Sequence, residues 1–77
     1  MKKFYFTFGQ AHKHVVGDKI FDKDCVCEIE AEDWHEARAI AFKVFDSVFC
    51  FQYSRIEDVT IMYYPRGIIK LEPTDYA

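Results

Sequence analysis

Two pairs of side chains have the types and the spacing for metal chemistry: His12-x-His14 and Cys25-x-Cys27. In an extended segment, residues two apart point to the same face. Two imidazoles and two thiolates brought together would suit tetrahedral zinc. Structural zinc pairs, however, usually carry about two to four intervening residues on a turn, and here only one intervenes. Cys25 and Cys27 also fall where the local alternation calls for core residues, and free cysteine is among the most buried residue types. Burial is the stronger reading, so no metal or other cofactor is expected. Cysteine catalysis has less support still. Cys25, Cys27 or Cys50 would have to meet His12, His14 or His35. No glycine-rich elbow or local signature offers the activated thiolate and oxyanion site that such chemistry needs. The expectation is a protein that is not an enzyme.

Two other groups of residues are candidates for binding. Gln10, His12 and His14 follow Gly9 in a polar stretch next to Tyr5 and Thr7. Loops carried on a rigid sheet are where binding residues concentrate, so these five form a candidate ligand set for a phosphate or nucleotide. The second group is acidic: Asp22, Asp24, Glu28, Glu30, Glu32, Asp33 and Glu36 stand against one lysine, Lys23. Helix capping accounts for Asp33 and Glu36, and strand alternation accounts for Glu28 and Glu30. What is left could meet a basic partner, although charge runs are usually solvated faces.

The elements that would position these residues can be read from periodicity. Phe4-Tyr5-Phe6-Thr7-Phe8 alternates with period two and stops at Gly9, which predicts a strand over 3–9 with Phe4, Phe6 and Phe8 on the core face. Val15 to Phe21 reads as a small ribbon turning at Gly17-Asp18. Residues 25–31 form a second long strand, with the cysteines inward and the glutamates outward. Asp33 opens the one helix, which runs to about Asp46. Trp34, Ala37, Ile40, Ala41, Val44, Phe45 and Val48 recur along it at three and four. Two strands follow, at 49–53 and 59–64, then a turn at Pro65-Arg66-Gly67 and a short edge strand over 68–71.

The predicted fold is α+β: an antiparallel sheet of four to five strands in β-β-α-β-β order, with one helix packed on one face. The 77 residues make one domain, with 72–77 as a frayed polar tail. Eight Phe, five Tyr and one Trp supply the core that so short a chain needs. Hydrophobic content of 51% and charged content of 30% exclude a disordered chain. The net charge of −3 argues against direct nucleic-acid binding, and no apolar run is long enough to span a membrane. The odd cysteine count fits a cytoplasmic protein. The open sheet face, bearing Glu28, Glu30, Gln52, Met62 and Tyr64, is expected to meet a partner together with Glu32 of the acidic stretch. A homodimer through that face or through the 68–71 edge is compatible with this layout.

Several motifs carry a resemblance. Phe4-Tyr5-Phe6-Thr7-Phe8-Gly9-Gln10 with His12, Phe21-Asp22-Lys23-Asp24, Ala37-Arg38 and Phe51-Gln52-Tyr53 together resemble a group of small bacteriophage- and prophage-encoded proteins. The resemblance spans roughly residues 4–53. Members often place a glycine and a tryptophan between the helix and the Phe-x-Tyr strand, and Asp46-Ser47-Val48-Phe49-Cys50 has neither. The resemblance implies an accessory protein that binds a host bacterial protein in the host cytoplasm, with CRISPR and restriction systems as expected targets. The alternative expectation is a small-ligand or nucleotide-binding module built on the Gln10–His14 loop.

Overall fold

A computed structural model describes residues 1–10, 12–46, 49 and 51–76. Strands β1 (Lys2–Thr7), β2 (His14–Val16), β3 (Lys19–Phe21) and β4 (Cys25–Ala31) precede helix α1 (Trp34–Phe45). Strands β5 (Phe51–Tyr53) and β6 (Gly67–Lys70) follow it. The four-stranded sheet has the order β5-β1-β4-β6, and β2-β3 forms a separate ribbon. The fold is therefore α+β, with one helix and a mixed sheet. The expected all-antiparallel sheet in β-β-α-β-β order is corrected: four strands precede the helix and two follow it, the ribbon is separate from the sheet, and β6 runs parallel to β4, pairing Val26 with Ile68 and Glu28 with Lys70. A four-residue apolar strand carries no mark of direction, so its pattern located the edge but not the orientation.

Alternation along β1 builds the floor of the core. Phe4 faces Ile29 and Phe6 faces Cys27 across the β1–β4 pair. Phe4, Phe6, Phe8, Cys25, Cys27 and Ile29 are all buried in one cluster with Ala37, Ala41 and Phe45 of the helix. Ala37, Ala41 and Phe45 are four residues apart, so they share one helix face, and the two small residues let the helix lie close to the rings. Phe8, Phe21 and Phe45 meet at centroid distances of 4.9–5.8 Å, which joins strand, ribbon and helix in one aromatic contact. The helix starts where its capping pattern predicts. Asp33 Oδ1 accepts from the Glu36 N–H at 2.8 Å, and Glu36 Oε1 accepts from the Glu32 N–H at 3.0 Å. Val48 of the expected helix stripe and Cys50 of the strand expected over 49–53 lie outside the described residues.

The second sheet face is where expectation and structure part. Residues 59–64 are not a strand. The segment forms two 3₁₀ turns, Ile56–Asp58 and Ile61–Tyr63, tied by i+3 bonds such as Val59 N–H to the Ile56 carbonyl at 3.0 Å. Ile56 and Val59 are three apart, so one 3₁₀ turn presents both to the sheet. They pack with Tyr53 and Tyr64 against Tyr5 and Val26. Gln52 of β5, expected on the open face, is turned to the other one. Phe51 lies opposite Thr7 and Tyr53 opposite Tyr5, while Gln52 lies opposite Phe6 on the helix side.

Two cations fasten the ends. Lys19 Nζ donates to the Lys70 carbonyl at 2.9 Å and to Asp75 at 2.7 Å, which ties the ribbon to β6 and to a 3₁₀ turn over Pro73–Asp75. Arg66 donates to the Ile20 carbonyl at 2.8 Å and pairs with Asp22 at 3.0 Å. The turn over Pro73–Asp75 is capped by Asp75 accepting from the Glu72 N–H at 2.8 Å, and Tyr76 packs on the core. Truncating the aromatic junction should be severe. Phe45→Ala is expected to cost about 3–5 kcal/mol in a urea melt, much of the stability of a chain this size.

Candidate functional site

The segment over the second sheet face buries one side and offers the other. Ile56, Val59 and Tyr64 turn toward the sheet. Between them, Ile61, Met62 and Tyr63 are 42%, 79% and 73% exposed. Three consecutive large apolar side chains on solvent form a ridge, and a short 3₁₀ turn anchored at both ends holds them there. Its exit is fixed by Gly67 N–H to the Tyr64 carbonyl at 2.8 Å and by Arg66 N–H to the Asp24 carbonyl at 2.9 Å. Beside the ridge, Gln10, Lys23, Asp24, Tyr63 and Tyr64 line an open, polar cleft of about 410 Å³.

The five expected ligand residues do not converge. Tyr5 and Thr7 were read as outward-facing on an open sheet, yet they are only 7% and 3% exposed. Burial raises the Tyr5 phenol above its ordinary range, with Glu28 and Glu57 adding to the shift. The His14 ring lies 5.0 Å from that of Phe45 and 5.7 Å from that of Phe8, tilted by 57° to each, so it packs on the core. His12 is exposed. Of the five, Gln10 reaches the cleft, where it meets Tyr64 from the expected partner set.

The acidic stretch is largely absorbed by structure. Asp22 accepts the Asp24 N–H at 3.0 Å and pairs with Arg66, and both interactions lower its carboxyl below the usual range. Asp24 pairs with Lys23, and Glu30 with Lys70. The Lys70 ammonium lowers the Glu30 carboxyl and is itself raised in return. Asp33 and Glu36 serve the helix start. Glu28 and Glu32 make no ion pair among the described residues. Gln52 does not stand with Met62 and Tyr64. It donates to the Trp34 carbonyl at 3.0 Å on the helix side.

Chemistry at Cys25 and Cys27 is disfavoured by their surroundings. Cys25 and Cys27 are buried, and desolvation pushes both thiols up, Cys27 well above its ordinary value. A thiol held protonated is a poor nucleophile and a poor metal ligand. Among the described residues, no three His, Cys, Asp or Glu side chains are grouped to hold a metal ion. No described helix is long and apolar enough to cross a membrane. In a Cys50→Ser background, DTNB at pH 8 should leave Cys25 and Cys27 unmodified until denaturant is added. Rapid labelling of the folded protein would contradict this placement.

Comparison with protein-family models, with curated proteins and with solved structures finds no match for this chain.

Proposed function

We propose that this protein works without chemistry of its own, by binding another protein through the Ile61–Met62–Tyr63 ridge. The observation that carries this reading is the split within one short segment. Ile56, Val59 and Tyr64 supply the packing, while Ile61, Met62 and Tyr63, between Val59 and Tyr64, are held on solvent. Aromatic residues and methionine are enriched at protein interfaces, and a ridge fixed before binding loses little freedom when a partner arrives. Glu28 and Glu32, which make no ion pair among the described residues, are the part of the acidic stretch left to meet a basic rim. The raised thiols argue against Cys25 and Cys27 as nucleophiles.

The resemblance to phage- and prophage-encoded proteins supplies the setting. It supports a host bacterial protein as the target, in the host cytoplasm, with a CRISPR or restriction component as the leading class and inhibition as the outcome. A ligand-binding module on the Gln10–His14 loop has less support, because Gln10 is the one member of that set that lines the described cleft.

The test is a pull-down from bacterial lysate, comparing the natural protein with the double variant Met62→Ala, Tyr63→Ala. Both side chains are exposed, so stability should change by less than about 0.5 kcal/mol for each. A discrete host protein should be retained by the natural chain and bound roughly tenfold more weakly by the variant. Equal retention by the two, or no retained protein, would overturn this reading.

A further inference from the structure

A second surface, separate from the ridge, lies at the outer edge of β5. This strand ends the sheet, and no described strand pairs with its outer side. Its backbone groups on that side are a template for another extended chain. Aromatic side chains flank the edge on both layers. On one face Phe51 is 59% exposed and lies 6.2 Å from the Tyr53 ring. On the helix face Phe42 and Phe49 meet edge to face at 5.4 Å.

The charge at this edge says what would dock there. The Arg38 guanidinium lies 5.2 Å from the Phe42 ring centre and 5.5 Å from that of Phe49. It donates to Gln52 Oε1 at 3.4 Å, so it stands beside the middle residue of β5. It makes no ion pair with a carboxylate among the described residues, although the chain carries thirteen Asp and Glu. A fixed cation on an aromatic shelf, next to an open strand edge, complements an anionic side chain on the incoming strand.

Strand geometry sets the register of that side chain. Phe51 and Tyr53 point to one face and Gln52 to the other. A residue opposite Gln52 therefore points to the helix side, toward Arg38, and its two neighbours point toward Phe51 and Tyr53. The geometry points to an extended segment of another protein as the occupant, with a carboxylate opposite Gln52 and an apolar residue on each side of it. A second copy of this chain fits poorly. Antiparallel pairing about Gln52 would bring two Gln52 side chains together, each with its own Arg38, and so place like charges against each other.

The probes are two synthetic peptides, acetylated and amidated: Thr-Val-Glu-Val-Thr and its counterpart with Lys for Glu. Each is titrated into nitrogen-15-labelled protein while the backbone amides are followed by NMR. The glutamate peptide should shift the amides of Phe51, Gln52 and Tyr53 and bind at least tenfold more tightly than the lysine peptide. Arg38→Glu should reverse that order. Arg38→Gln, which keeps the stem without the charge, should bring the two affinities together, and the amide spectra report directly whether each variant is folded. Met62→Ala should leave both titrations unchanged, so this edge and the ridge stand or fall separately. Equal affinities in the natural protein, an order that Arg38→Glu does not reverse, shifts centred away from β5 or binding of neither peptide would overturn the inference. So would a β5-mediated dimer that the peptide cannot displace.

Discussion

The antiparallel pairing of β1 with β4 is the contact on which the rest of the structure depends. These two strands are the inner pair of the sheet, and side chains on both of their faces are buried. A strand pair buried on both sides must be covered twice, and the described residues form one α-helix to do it. Helix α1 takes the Phe4–Phe6–Phe8 face. The other face, with Tyr5 and Val26 on it, falls to residues that form no regular sheet or long helix. The 3₁₀ segment supplies Ile56, Val59 and Tyr64 and closes that side. Its brevity has a consequence. A segment only a few residues deep cannot bury every apolar side chain it carries, so those that do not reach the sheet stand outward.

This links the second core to the ridge. Val59 and Tyr64 grip the sheet on either side of Ile61, Met62 and Tyr63, and the turn bonds between them leave little freedom in between. Arg66 then fastens the exit to Asp22 and to the Ile20 carbonyl. The acidic residue that looked like part of a charged surface is thus one end of a clamp that holds the ridge in place. Stability and presentation use the same contacts.

Several elements were legible in the sequence because a local pattern determined them. Alternation placed Phe4, Phe6 and Phe8 under the helix. Gly17, which adopts a φ of 62°, marked the ribbon turn, and Asp33 marked the helix start. Cys25 and Cys27 read correctly as core residues. The failures lie where the answer depends on neighbours distant in the chain. Residues 59–64 are rich in β-branched and aromatic types and alternate like a strand, but both edges of the β1–β4 pair are taken by β5 and β6. The spacing of Ile56 and Val59 then wins over the alternation. Gln52 was assigned to the wrong face because a one-residue difference in register turns a whole strand over, and only its pairing with Phe6 settles the register. Tyr5 and Thr7 followed from that error, since they were read as open once the cover was taken for a strand.

The role of residues 56–64 as cover is tested most directly by a NOESY spectrum of the natural protein. The account predicts cross-peaks from the Val59 methyls to the Tyr5 ring and the Val26 methyls, with sequential amide contacts through 61–64. Cross-strand Hα contacts between residues 59–64 and a sheet neighbour, without the Val59–Tyr5 cross-peaks, would contradict it.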